Sequence, residues 1–168
     1  MASNIKQGFH MLAELLLRYC IHPRLRARIL RCLGARIGRN VRIHECRLIN
    51  LQQGFRNLTI GDDVHVGSDC LIDLAGPVSV GRGTTLSPRV TIISHTDPGS
   101  SHHSPWVERF PVEAKGVTLG QNCWIGTGAI ILSGSEIGSA VVVGAAALVK
   151  GRLDAPGIYV GIPAKQQT

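Results

Sequence analysis

Taken as a string of hydrophobic and polar positions, the chain changes period once, near residue 34. From Ile5 to Tyr19 the apolar residues Ile5, Phe9, Leu12, Leu15, Leu16 and Tyr19 recur three and four apart, the spacing of one face of an α-helix. Pro23 stops that helix after Ile21, and Arg24 to Leu33 has the length of a second, short one. After Gly34 the aliphatic residues recur every six positions. Ile37, Ile43 and Ile49 keep this step, as do Ile60, Val66, Ile72 and Val78, then Val80, Leu86 and Ile92. Leu119, Ile125, Ile131, Ile137, Val143 and Val149 follow without a slip.

Gly follows many of these aliphatics, as in Ile60-Gly61, Val80-Gly81, Leu119-Gly120 and Ile137-Gly138, and four places on sits a mostly small residue such as Val64, Cys70, Thr84, Cys123, Ala129 or Ala147. A unit of one short strand and one turn satisfies both slots, with the aliphatic inward and Gly letting the backbone bend. Neither a helical period nor plain alternation does. Stacked units of this kind predict an all-β parallel β-helix with coils about 4.8 Å apart. The expected organisation is a helical segment over 1–34, a β-helix over 35–153 and a tail over 154–168. The two helices are expected to cap the open first coil, because a terminal repeat must hide an apolar edge. The sharper alternative is attachment to an anionic membrane surface through Arg24, Arg26, Arg28 and Arg31. Between Ile92 and Leu119 the six-residue period fails. Residues 94–116, rich in Pro, Ser and His, read as a loop extruded from one coil, and a long loop in a regular scaffold is usually functional.

Composition narrows the picture. The chain is 44% hydrophobic yet only 4% aromatic, with 20 Gly, so small and β-branched residues must fill the core. A net charge of +7 suggests an acidic partner, but nine basic residues precede residue 45, with Glu14 as their only acidic companion, so the later chain is close to balanced. Basic residues are not interleaved with aromatics, which argues against a nucleic-acid partner. The five cysteines, at 20, 32, 46, 70 and 123, are odd in number and form no CxxC pair, as expected of reduced thiols in a cytoplasmic protein. Cys70 and Cys123 fit small buried slots. The stretch Met11 to Ile21 is interrupted by Glu14 and Arg18 and falls short of the roughly 20 apolar residues that span a bilayer.

The runs Val78 to His95, Phe110-Pro111-Val112, Leu119 to Gly138 and Gly161-Ile162-Pro163-Ala164-Lys165 together resemble the hexapeptide-repeat O-acetyltransferases that act on galactosides, maltose and polysaccharides of capsule, lipopolysaccharide and exopolysaccharide. That resemblance spans residues 58–165 and implies a left-handed coil, a homotrimer, acetyl-CoA as acyl donor, no metal, and a free or lipid-linked sugar as acceptor. The expected place of action is the cytoplasm, at the inner face of the membrane. By the resemblance His95, where the loop begins, is the general base. The chemistry calls for one, since a hydroxyl must lose its proton as it attacks a thioester, and an imidazole can take it without a covalent acyl-enzyme. Such a base needs an acceptor on its other nitrogen, and Asp97, Glu108 and Glu113 are equally in reach by sequence.

The resemblance further implies that Asp73 binds the acceptor, with His102 and His103 at the rim, and that Trp124 packs against acceptor or pantetheine. Backbone groups at Thr127 and Ala145 would hold the pantetheine chain, and Lys150, Arg152 and Lys165 the CoA phosphates. One departure is Ala146, where relatives carry Gly, which narrows the pantetheine groove by a methyl. His44 and His65 take outward positions and read as surface residues. Three other readings compete: an antibiotic or small-metabolite acetyltransferase, a non-catalytic β-helix scaffold, and a zinc hydratase. The last needs three converging histidines, whereas His95, His102 and His103 lie in a single loop.

Overall fold

The computed structural model describes residues 2–99 and 102–167. Its short strands stack into three parallel faces of a β-helix. The first face runs Arg36–Ile37, Leu58–Ile60, Val78–Val80, Val117–Leu119, Glu136–Ile137 and Arg152–Leu153. The second runs Arg42–Ile43, His65–Val66, Thr85–Leu86, Trp124–Ile125, Val141–Val143 and Gly157–Val160. The third runs Cys46–Ile49, Cys70–Asp73, Thr91–Ile92, Ile130–Ile131 and Leu148–Val149. The six-residue period is thus one face of one coil, and each aliphatic points into a shared core. Val64, Val66, Cys70, Val90, Ile92, Ile125 and Ile131 are wholly buried there. The parallel ladder outlasts residue 153, because Gly157–Val160 pairs with Val141–Val143. The tail therefore leaves the coils only after Val160, and Lys165–Gln166 folds back antiparallel on that strand.

Two kinds of turn residue make the corners. Asn40, Asp63, Gly83, Asn122 and Ala140 form one column in the left-handed region, and Asp69, Arg89, Gly128 and Ala146 form another. The glycines that directly follow the aliphatics answer a different need. A Cβ at Gly120 would lie 2.5 Å from Ser139 N, so this position is fixed by the approach of the next coil rather than by its own φ.

The first coil has no coil beneath it, and its edge would leave carbonyls unpaired. Helix α2 (Pro23–Cys32), with Pro at its first turn and His22 Nδ1 accepting from Leu25 N, lies across that edge. Arg31 donates to Ile37 O and Gly38 O, and the buried Arg26 donates to Ile43 O, Leu17 O, Arg18 O and Cys20 O. Helix α1 (Ala2–Arg18) supplies Glu14, whose Oε1 accepts from Leu48 N at 3.1 Å. The helices therefore cap the β-helix, and two of the arginines read from sequence as membrane ligands are used up in doing so. Among the described residues no helix is long and apolar enough to cross a membrane.

Candidate active site

The loop leaves the third coil at the corner between its third and first faces. It opens on a two-residue antiparallel stem in which His95 pairs with Ala114 and Thr96 with Glu113. Lys115 N donates to Ser94 O at 2.9 Å, closing the stem back onto the coil. The backbone on both sides of His95 is thereby fixed.

Directly beneath, one coil earlier, the third-face strand ends on Asp73. On this face Leu71 pairs with Thr91 and Ile72 with Ile92, so the next rung sets Asp73 under the start of the loop. Asp73 is completely buried. Its Oδ1 accepts from Asn50 Nδ2 at 2.8 Å and from Ala75 N at 3.0 Å. Oδ2 accepts from Ser94 N at 2.8 Å and meets His95 Nδ1 at 2.5 Å. Ser94 Oγ accepts from Gly76 N and has one proton to give, to either Asp73 O or Asp73 Oδ2. Burial would push the Asp73 carboxyl up, but the bonds from His95, Asn50, Ala75 and Ser94 outweigh it and hold the group below the usual carboxylate range. With Asp73 ionised, the neutral imidazole keeps its proton on Nδ1, and Nε2 is left as an acceptor on a side chain that is 28% exposed.

This arrangement corrects the expected roles of the carboxylates. The acceptor on His95 is Asp73, and Asp73 cannot touch an incoming sugar because no part of it reaches solvent. Asp97 accepts from Gly99 N within its own turn, and Glu113 pairs with Lys115 at 2.8 Å. Glu108 and His103 line a hollow of about 390 Å³ in the loop with Ser104, Pro105 and Val107, and His102 is exposed beside them. Sequence reasoning also missed Asn50 and Ser94. The signal that sets Asp73 beneath Ser94 and His95 is the coil length, for the second and third coils pair residues 20 apart, as Leu58 with Val78, whereas Asn50 answers to the longer step of the first coil, where Ile49 pairs with Asp73.

The residues expected to meet CoA sit elsewhere. Trp124, 57% exposed, donates from Nε1 to Ser87 Oγ at 3.0 Å on the second face. Thr127 and Ala145 follow at the corner of the second and third faces, where Ala146 N donates to Thr127 O. Within one chain this corner and that of His95 lie at opposite ends of the third face. Lys150 stands just past the third-face strand Leu148–Val149 and Lys165 in the returning C-terminal strand. Arg152 is drawn into pairs with Asp154 at 2.8 Å and Glu136 at 3.7 Å. His44 and His65 are only half exposed; their rings meet edge to face at 5.0 Å, and His65 Nδ1 is buried without a partner among the described residues. Among the described residues no three His, Cys, Asp or Glu side chains are grouped to hold a metal ion.

Residues 116–151 match the family model described as bacterial transferase hexapeptide (six repeats). The chain is 33% identical over 141 residues to WcaF of Escherichia coli (strain K12), assigned to colanic acid biosynthesis as an acetyltransferase, covering 84% of this chain and 72% of WcaF. The chain belongs to the bacterial hexapeptide-repeat acyltransferases. It is also 34% identical over 116 residues to WbbJ of the same strain, assigned to lipopolysaccharide biosynthesis as an O-acetyl transferase; that match covers 65% of this chain and 56% of WbbJ. Among solved structures, the hexapeptide-repeat acetyltransferase VCA0836 of Vibrio cholerae O1 biovar eltor, complexed with acetyl coenzyme A, shares the fold. The TM-score is 0.80 at 17% identity, over 95% of this chain and 84% of that one.

Proposed function

We propose that this acyltransferase moves an acetyl group from acetyl-CoA to a hydroxyl of a sugar or sugar-containing glycan precursor, with His95 as general base and Asp73 as its positioning residue. The observation that carries the reading is the 2.5 Å contact between His95 Nδ1 and the buried, ionised Asp73. Nε2 takes the hydroxyl proton as the oxygen attacks the thioester carbonyl carbon, and the carbon–sulfur bond breaks as the tetrahedral centre collapses. The proton then passes from Nε2 to the departing CoA thiolate, so His95 ends as it began. Asp73 holds the ring's tautomer and offsets the imidazolium charge between the two steps. The sugar acceptor is supported by the assignments of WcaF and WbbJ, and the donor by the acetyl-CoA bound to VCA0836.

Trp124, Thr127 and Ala145 stand one face away from His95, so a complete site calls for the donor corner of one chain against the base of another. This separation and the exposed Trp124, Ile158 and Val160 along the second face support a homotrimer with its sites between subunits. Acetyl-CoA as donor and five unbridged thiols support a cytoplasmic setting.

His95→Ala tests the reading. His95 fills no core slot, so the variant should fold normally and keep its stabilisation by CoA, while turnover on nucleotide sugars, lipid-linked sugars or free sugars falls by about 10² to 10⁴. Near-normal turnover would remove His95 from the mechanism. A wild-type monomer by light scattering would remove the shared site.

A further inference from the structure

Helix α1 is built inside out. Two of its polar residues face the protein: Glu14 is 5% exposed and bonded to Leu48 N and Arg18, and the His10 ring packs on Phe55 at 5.8 Å. Its apolar residues face away. Ile5, Phe9, Leu12, Leu15, Leu16 and Tyr19, the stripe that the period picks out, are between 46% and 79% exposed. Leu17 alone of its large apolar side chains is buried. A cap needs only the inner face. An uninterrupted apolar outer face on an otherwise soluble fold marks a surface that something covers.

The charges around that stripe identify what. Phe9, Leu12 and Leu16 line an apolar groove with Ile29 of α2 and Leu33 just past its end. On the other side of α2, Arg24 and Arg28 line a hollow of about 340 Å³ with Arg31, Arg39 and Asn40. Arg31 is bonded to first-coil carbonyls and Arg39 to Asp62, whereas Arg24 and Arg28 have no ion-pair partner among the described residues. Glu14, the sole acid before residue 45, is buried. The end of the β-helix therefore presents an apolar strip, then a cationic strip, with no exposed acid in the helices. A second copy would bring like charges to such a rim, while an anionic lipid surface offers acyl chains to the one strip and headgroup phosphates to the other.

We propose that α1 lies in the interface of an anionic bilayer, its Phe9–Leu12–Leu16 face among the acyl chains and Arg24 and Arg28 on the headgroup phosphates. This docking is independent of acyl transfer, so its test needs no substrate. The full chain is floated with phosphatidylcholine vesicles with and without phosphatidylglycerol, and its particle mass is measured by light scattering. Wild type should float only with phosphatidylglycerol and be released by high salt. Arg24→Gln with Arg28→Gln should weaken partition about thirtyfold, at the usual contribution of a basic residue near such a surface. Leu12→Ser with Leu16→Ser should abolish it with no loss of thermal stability, both residues being exposed. Wild type that ignores phosphatidylglycerol overturns the proposal. So does a serine variant whose particle is smaller than wild type, for the face is then an interface between copies.

Discussion

Among the described residues three charged side chains are buried, Glu14, Arg26 and Asp73, and the last two do opposite things. Arg26, 2% exposed, spends its guanidinium on backbone carbonyls of α1, the connection after it and the first coil. Each of those partners is a backbone carbonyl, so the charge meets no side chain that could act on a ligand. Asp73 is just as enclosed and satisfies four partners, but one of them, His95, is a part-exposed ring with a second nitrogen. The contrast teaches how to separate a structural charge from one that serves the proposed chemistry in a fold whose inner slots are mostly aliphatic. Burial and pairing are common to both, and the difference is whether the partner chain ends on backbone or on a group that can meet a substrate.

Substitution should pull the two apart. Arg26→Met keeps the stem and strands its carbonyl partners, each an unpaired buried acceptor. A loss of about 3 kcal/mol, or on the order of 10 °C in Tm, is expected, with unchanged turnover per folded molecule. A stable variant with impaired turnover would reverse the assignment. Asp73→Asn should lower turnover about a hundredfold, because an amide cannot accept from every donor now on the carboxylate and leaves the His95 tautomer unfixed. Its stability effect should depend on pH. The Asp73 carboxyl titrates lower folded than unfolded, so its contribution is complete above the ordinary carboxylate range and is lost as pH falls through the folded value. Urea midpoints of wild type and Asp73→Asn should therefore differ most at neutral pH and converge in acid. A gap that widens in acid would mean the carboxyl is not held ionised.

The sequence made some of this visible and hid the rest for a physical reason. Period six is local, so the coils, the inward aliphatics and the break at residue 94 could be read directly, and the family resemblance then put a general base on His95, where the loop begins. The partner of His95 is not local. Asp73 lies 22 residues earlier and belongs to it only through the stacking of coils, while Asp97 and Glu113, nearer in sequence, are bonded to Gly99 N and Lys115. The Gly that follows many of the aliphatics looked like a bend and is a close approach. Helix α1 carries a similar lesson, since its apolar stripe gave the helix correctly but not the direction in which the stripe faces.

The smallest effect expected concerns strain borne by backbone instead of by buried charge. At the corner between second and third faces, successive coils put Asp69, Arg89, Gly128 and Ala146 in the left-handed region, and Ala146 does so at φ 56°. Asp gains from local hydrogen bonding there and Gly lacks the Cβ that clashes, but Ala has neither advantage. Ala146→Gly relieves the clash and costs some unfolded-chain entropy, so the net gain should be only about 0.5 kcal/mol, or about 1 to 2 °C in Tm. Ala146 N bonds to Thr127 O, and the methyl projects from an exposed turn beside Ala145, where the pantetheine chain is proposed to lie. The same substitution should therefore tighten CoA binding slightly and leave the pH dependence of turnover alone, because it touches neither Asp73 nor His95. A lower Tm would show that the corner tolerates Ala without strain. A shifted pH profile would couple this corner to the His95–Asp73 pair and undo the separation between a charge that acts outward and a scaffold that does not.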